Sequence, residues 1–223
     1  MVDVTLMQLA SNSPRRRELM ALGSWRVQSC APEVDESRQA NEAPADYVRR
    51  LAGAKARAAL PFSPSDAYIV AADTAVVDGA EVLGKPIHPE DAERMLRQLR
   101  GRTHQVFTGV TVIEVSSGTT LTDVCITDVP MRDYTDAEIL SYVASGDPMD
   151  KAGAYGIQHA GFHPVRQMRG CFASVMGLPL CHVVRLMRRL RAALEPELPE
   201  RCQSHLNYVC PVSAAILRGE PVG

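Results

Sequence analysis

Aromatic residues are scarce in this chain: they are 5% of its 223 residues, with a single Trp. Its core must therefore be mainly aliphatic, and aromatic platforms for stacking single strands are not expected. Neither sign of charge is in excess, with 24 Lys and Arg against 26 Asp and Glu. A general nucleic-acid binder carries a basic surplus, so no nucleic-acid partner is expected. The six cysteines are scattered and form no CxxC pair. That argues against a disulfide framework and for a reducing, cytoplasmic location. No apolar run is long enough to span a bilayer: the most apolar window, residues 171–184, is broken by Gly177 and Pro179, so no membrane association is expected. The opening MVDVTLMQLA has no basic region ahead of an apolar one, unlike a signal peptide. The sequence has no GxxxxGK[ST], no GxGxxG, no His pair at metal-ligand spacing and no nucleophile triad. These absences speak against P-loop, dinucleotide-binding and zinc-hydrolase chemistry.

What is present is an alternation of strand and helix patterns. The length suits one large domain or two small lobes. The apolar and β-rich patterns predict strands over residues 4–9, 25–30 and 68–72, the last ending in Asp73. A hairpin follows over 74–83, turning at Asp78-Gly79, and a second pairs 104–115 with 121–131. Helical spacing predicts helices over 15–22, 44–60 and 89–100, and a last one over 179–194. Thr135 to Glu138 reads as a capping box for a helix reaching about Ser145. Residues 162–172 read as extended. From residue 195 onward no period is clear. The order implies an α/β or α+β fold with a mixed sheet.

Five places carry chemistry. Ser11-Asn12-Ser13-Pro14-Arg15-Arg16-Arg17 leads from a strand into a helix start, where free backbone N–H groups favour an anion. Three arginines there are unfavourable for the helix unless a polyphosphate meets them. Lys55 falls on the apolar stripe of its helix, after Val48 and Leu51, so it either snorkels outward or meets an anion. Asp73, followed by Thr74, closes an apolar strand and needs a cation or metal partner. Gly84-Lys85-Pro86 holds an extended chain with a cation. The segment 150–158 contains Lys151, Tyr155 and Gln158 among small residues, and Gln158 is able to read the polar edge of a base. Clustered cations with a few carboxylates fit a Mg²⁺-dependent enzyme acting on a polyphosphate.

Six motifs in series then carry a resemblance: LASNSPRRREL (9–19), AADT (71–74), LGKP (83–86), GRTHQVFTGV (101–110), DKAGAYGIQ (150–158) and VMGLPL (175–180). Together they resemble the Maf family of nucleoside triphosphate pyrophosphatases, over roughly residues 4–194. The resemblance implies a two-lobed α/β fold similar to inosine triphosphate pyrophosphatases, with the active site in the cleft between lobes. It implies hydrolysis of a nucleoside triphosphate to the monophosphate and pyrophosphate, a divalent metal (Mg²⁺ or Mn²⁺) and a homodimer. The family's functional positions fall on Ser11, Arg15, Glu36, Lys55, Asp73 and Lys85. Arg15, Thr74 and Gln158 are similar to the branch acting on dTTP and UTP, with Lys151 beside them. Another or modified base, such as 7-methyl-GTP or CTP, is the alternative substrate. A non-catalytic regulator of division is the alternative role, as the family's older association with septum formation suggests.

On this resemblance Glu36 and Asp73 hold the metal, while Lys55, Lys85 and Arg15 stabilise developing charge. Which carboxylate is the base stays open, because one carboxylate cannot fully serve as both ligand and base for one water. The chain departs from the pattern at Cys171, where the family often has Ser. Residues 1–194 are expected to form the pyrophosphatase domain and 195–223 a C-terminal extension. Cys202, His205 and Cys210 in that extension match no standard zinc spacing and lack a fourth ligand.

Overall fold

Two long runs rich in β-branched residues, 68–78 and 103–114, are buried along most of their length and lie side by side within the sheet. The computed structural model describes residues 5–192, 197–220 and 222. In chain order the elements are β1 (Leu6–Ala10), α1 (Pro14–Met20), β2 (Arg26–Cys30), α2 (Pro44–Ala59), β3 (Tyr68–Asp78), β4 (Glu81–Leu83) and α3 (Pro89–Leu99). They continue with β5 (Thr103–Glu114), β6 (Thr120–Pro130), α4 (Asp136–Ala144), α5 (Phe172–Val175), α6 (Leu180–Arg189), α7 (Leu198–His205) and α8 (Ser213–Leu217). The sheet runs β2-β1-β3-β5-β6, with β4 also on β3. β1 is parallel to both its neighbours and the other pairs are antiparallel. The fold is therefore mixed α/β.

β3 does not stop at Asp73. Its antiparallel ladder to β5 is continuous from Tyr68 to Val77, with Asp73 opposite Gly109. The other edge of β3 is interrupted instead. β1 pairs with residues 68–70 and β4 with residues 76–78, so among the described residues nothing pairs with the stretch between on that side. The strand-end position expected for Asp73 is thus a gap in the neighbouring strands. The polar Asp73-Thr74 pair breaks the apolar run without ending the strand.

Period-two alternation sends β3 side chains to two faces. Ile69, Ala71, Ala75 and Val77 pack against α2 through Ala56, Ala59 and Val48. Val70 and Ala72 belong to a core with α1, α5 and α6, whereas Val76 belongs to a separate one with α3 and α4. Between these two cores lies a row of buried hydroxyls. Thr74 Oγ1 and Thr108 Oγ1 are 3.1 Å apart. Thr108 donates to the Ser174 carbonyl at 2.8 Å, and Thr127 and Ser174 hydroxyls are 2.8 Å apart.

Other expectations need correction. Residues 162–172 form no strand among the described residues; Val165 makes one isolated antiparallel bridge, to Met131. Arg132, which takes up the carbonyls of Phe162 and His163, holds them in a loop. The last long helix ends at Arg189, because Arg191 turns left-handed at φ 58°, a common helix stop. Its expected end at Leu194, and the boundary between 194 and 195, lie outside the described residues, as does the first residue of the strand expected from Val4. The extension has order: Leu198 and Cys202 on α7 are buried in the α1–α6 core, with Leu206, Val212 and Leu217 packed against it.

α6 is also tied to the sheet by charge. Asp123 on β6 meets Arg185, with His182 Nδ1 3.1 Å away. Burial opposes the Asp123 charge, but the hydrogen bonds from His182 and Arg185 outweigh it and hold the carboxyl at about 2. A carboxyl depressed on folding stabilises above its unfolded value and loses that contribution as pH falls toward the folded one. Asp123→Asn is expected to lower the melting temperature by a few degrees at pH 7, and the gap to narrow below about pH 4. Melts at pH 7, 4 and 2.5 check this; a gap of constant size removes the argument.

Candidate functional site

The gap beside β3 opens into a cavity of about 670 Å³. Ser11, Arg15, Glu36, Lys55, Asp73, Thr74, Lys85, Lys151 and Gln158 all line it. Ser11 and Arg15 come from the β1–α1 turn and α1, Glu36 from the segment before α2, Lys55 from α2, Asp73 and Thr74 from β3, Lys85 from the loop after β4, and Lys151 and Gln158 from residues 150–158.

Asp73 and Thr74, adjacent on β3, face opposite sides of the sheet. Asp73 turns to α2, where Lys55 Nζ donates to its Oδ1 at 2.6 Å. The same ammonium lies 2.7 Å from Glu36 Oε1. Lys55 thus meets an anion rather than snorkelling to solvent. Glu36 sits in the irregular segment between β2 and α2. That segment is held by α2: Tyr47 donates its hydroxyl to the Glu36 carbonyl at 2.9 Å, and Arg50 donates to Ser37 O at 3.0 Å. Burial pushes the Asp73 carboxyl above its ordinary value, and Lys55 and Arg16 offset only part of that rise. Glu36 goes the other way. Burial opposes its charge, yet Lys55, Lys85 and Arg16 hold it below the ordinary value. Two carboxylates that share one ammonium are therefore pushed apart in acidity.

Thr74 turns to the α1 side. Its hydroxyl accepts from Arg16 Nη2 at 3.3 Å. Arg16 also donates from Nε to the Gly177 carbonyl at 2.8 Å and from Nη1 to Ser11 Oγ at 3.4 Å. It clamps the β1–α1 turn, β3 and the Gly177 turn together. Gly177 has φ 109°, a conformation side chains rarely adopt. Sequence reasoning chose Arg15 from the arginine triplet and did not single out Arg16. The signal was available: with Ser13 as cap, only Arg16 lies both three residues before Leu19 and four before Met20, the buried face of α1. Arg17 is exposed and outside the cavity.

The far wall comes from residues 150–158. Arg15 Nη1 lies 3.1 Å from Asp150 Oδ2. Lys151 is buried, and its ammonium is taken up by Asp150 Oδ1 at 2.6 Å, the Asp147 carbonyl at 2.6 Å and Asp147 Oδ1 at 3.0 Å. It holds Asp150, which holds Arg15, so its own charge is not turned to the cavity. The Tyr155 hydroxyl and His104 Nε2 are hydrogen-bonded at 2.8 Å. Gln158 and Lys85 are exposed at the cavity, and neither has a hydrogen-bond or ion-pair partner among the described residues. In the extension, His205 Nε2 is 2.7 Å from Glu18 Oε1. Among the described residues no group of three or more His, Cys, Asp or Glu is arranged to hold a metal.

Fold and site together define a mixed α/β protein with a charge-mixed cleft, where Glu36, Asp73 and several cations converge beside a gap in the sheet. The profile of the family described as Maf-like protein matches residues 6–190, and the chain belongs to that family. A dTTP/UTP pyrophosphatase of Photorhabdus laumondii is 44% identical over 187 residues, covering 84% of this chain and 95% of that one. The Escherichia coli O157:H7 protein of the same description is 43% identical, with 86% and 96% covered. That of Geobacter sulfurreducens is 44% identical, with 82% and 96% covered. This chain is longer than these relatives. Among solved structures, the Staphylococcus aureus Ham1 protein aligns at a TM-score of 0.41 and 15% identity, over 67% of this chain and 85% of that one.

Proposed function

We propose that the protein hydrolyses nucleoside triphosphates, dTTP and UTP foremost, to the nucleoside monophosphate and pyrophosphate. One observation carries the reading: Asp73 and Glu36 meet at the Lys55 ammonium, in a cavity also lined by Arg15, Arg16 and Lys85. Relatives 43–44% identical bear the dTTP/UTP pyrophosphatase description. No helix among the described residues is long and apolar enough to cross a membrane.

The acids offer oxygen only, and among the described residues no third acidic, Cys or His ligand joins them. Two carboxylates completed by phosphate oxygens and water suit Mg²⁺ or Mn²⁺, so Glu36 and Asp73 fit such an ion. When bound, it supplies charge neutralisation on the phosphates. The chain's own groups do the rest. Environments that push two carboxyls apart divide their roles: Asp73, raised by burial, takes the proton from an attacking water that it does not share with the ion, and Glu36 stays ionised as ligand. Lys55 orients both. Lys85, Arg15 and Arg16 meet the charge that grows on the transferred phosphate. Arg15, Thr74 and Gln158, with Ser11 and Lys151 positioning the walls, select the base. Residues 1–194 form the catalytic domain and 195–223 an extension; the family match ending at residue 190 supports that division. A cytoplasmic homodimer completes the reading.

A nucleotide panel, read by released pyrophosphate with Mg²⁺ and with Mn²⁺, tests it. dTTP and UTP are expected to lead; if they are the poorest substrates, the base assignment is wrong. Nucleotide binding without turnover would point to the regulator. Gln158→Ala is expected to lower kcat/KM for dTTP about tenfold, mostly through KM. An unchanged dTTP-to-CTP ratio would remove Gln158 from base selection.

A further inference from the structure

The cysteines, scattered in sequence, gather in space, all but Cys30. Cys125 on β6 and Cys171, just before α5, are buried, and the thiols of Cys125 and Cys210 are neighbours of the Cys171 thiol. Cys171 and Cys210, on the loop between α7 and α8, line one small cavity together with Cys181 and Cys202. Within this group only Cys210 is partly open to solvent.

The approach of Cys210 to Cys171 is held by groups other than sulfur. Tyr208 donates its hydroxyl to the carbonyls of Gly170 at 2.9 Å and Met168 at 3.2 Å. Its ring lies 5.5 Å from that of Phe172. Cys210 N donates to Gln203 Oε1 at 2.8 Å. The α7–α8 loop is therefore pinned along the chain on both sides of Cys171.

The two thiols differ in the way an oxidation pair requires. Cys210 is half-buried and Cys171 buried, so a peroxide arriving from solvent meets Cys210 first. The neighbouring Cys171 thiol, with the backbone N–H groups of Val212 and Ser213, holds Cys210 below its ordinary value against burial, which favours the thiolate that acts as nucleophile.

We propose that Cys210 and Cys171 form an oxidation site, at which a hydroperoxide oxidises Cys210 and Cys171 closes a disulfide onto it. The Cys210 sulfur attacks one peroxide oxygen, the O–O bond breaks, and hydroxide or alkoxide leaves, giving a sulfenic acid. The Cys171 sulfur then attacks the sulfenic sulfur. The S–O bond breaks, and the hydroxyl leaves with the Cys171 proton as water. The peroxide gains two electrons and the two thiols lose them. The bond fastens the C-terminal extension to the segment that continues through Val175 and Met176 to Gly177, which lines the cleft and accepts from Arg16.

The test uses the full chain, reduced and then exposed to hydrogen peroxide in modest excess, with thiol titration, intact mass and peptide mapping. The expected result is loss of one thiol pair, a mass lower by about 2 Da, a peptide joining residues 171 and 210, and reversal by dithiothreitol. Closing the chain between these positions should raise the melting temperature by roughly 5–10 °C. Cys210→Ser should lose no thiol pair at that dose, and Cys30→Ser should behave like the unaltered chain. A cross-link between another pair, equal thiol loss in Cys210→Ser, or no loss in the unaltered chain overturns the proposal.

Discussion

Asp73→Asn is expected to lose on the order of 10²-fold or more in kcat while the fold persists. The amide keeps the size of the carboxylate and still offers an oxygen to Lys55, but it cannot take a proton from water. Lys55 retains Glu36 Oε1 at 2.7 Å, so the ammonium is not orphaned. Asp73 itself is buried and destabilised in its charged form, so neutralising it should leave the melting temperature within a few degrees. Pyrophosphate release at saturating metal gives the rate, and a thermal melt gives the fold. Near-normal turnover would remove Asp73 from the chemistry. A matching loss in Glu36→Gln alone would make Glu36 the base.

Gly109→Ala is expected to be the most damaging single methyl in the sheet. Gly109 lies opposite Asp73 on β5, where α2 comes closest to the strand. A Cβ there would overlap the Val48 carbonyl oxygen and stand 2.6 Å from its carbon and 3.0 Å from Arg49 N. Those are backbone atoms of α2, which no rotamer change can move aside. Overpacking of this kind costs about 3 kcal/mol, or roughly 6–12 °C in melting temperature for a chain of this length. Because α2 also carries Lys55, any outward shift takes the ammonium from both acids, and kcat/KM should fall with stability. A melting temperature within about 2 °C of the unaltered chain would mean that α2 is not packed on Gly109.

That glycine shows what sequence reading could and could not reach. Gly109 stood inside a recognised motif, yet its reason depends on which helix crosses β5, a long-range fact without local signature. Lys55 was legible because helical spacing put it on the buried stripe of α2. Asp73 was legible as a candidate, but its setting was misread, since a polar pair inside a long strand looks like a strand end. Glu36 has no periodic context: Tyr47 and Arg50 on the next helix place it, so only the family resemblance pointed to it. The extension was read as patternless because α7 and α8 are short, and short helices carry too few turns to display a face.

One peptide bond separates Asp73 from Thr74, and the pleat sends them into different neighbourhoods. Asp73 answers to Lys55 and Glu36, whereas Thr74 answers to Arg16, Thr108 and the turn at Gly177. A substitution at 74 is therefore felt first by Arg16 and the α1 side of the sheet, not by the Lys55 bridge. On the proposed roles, position 74 can retune the choice of base while the two acids that handle metal and water keep their common ammonium.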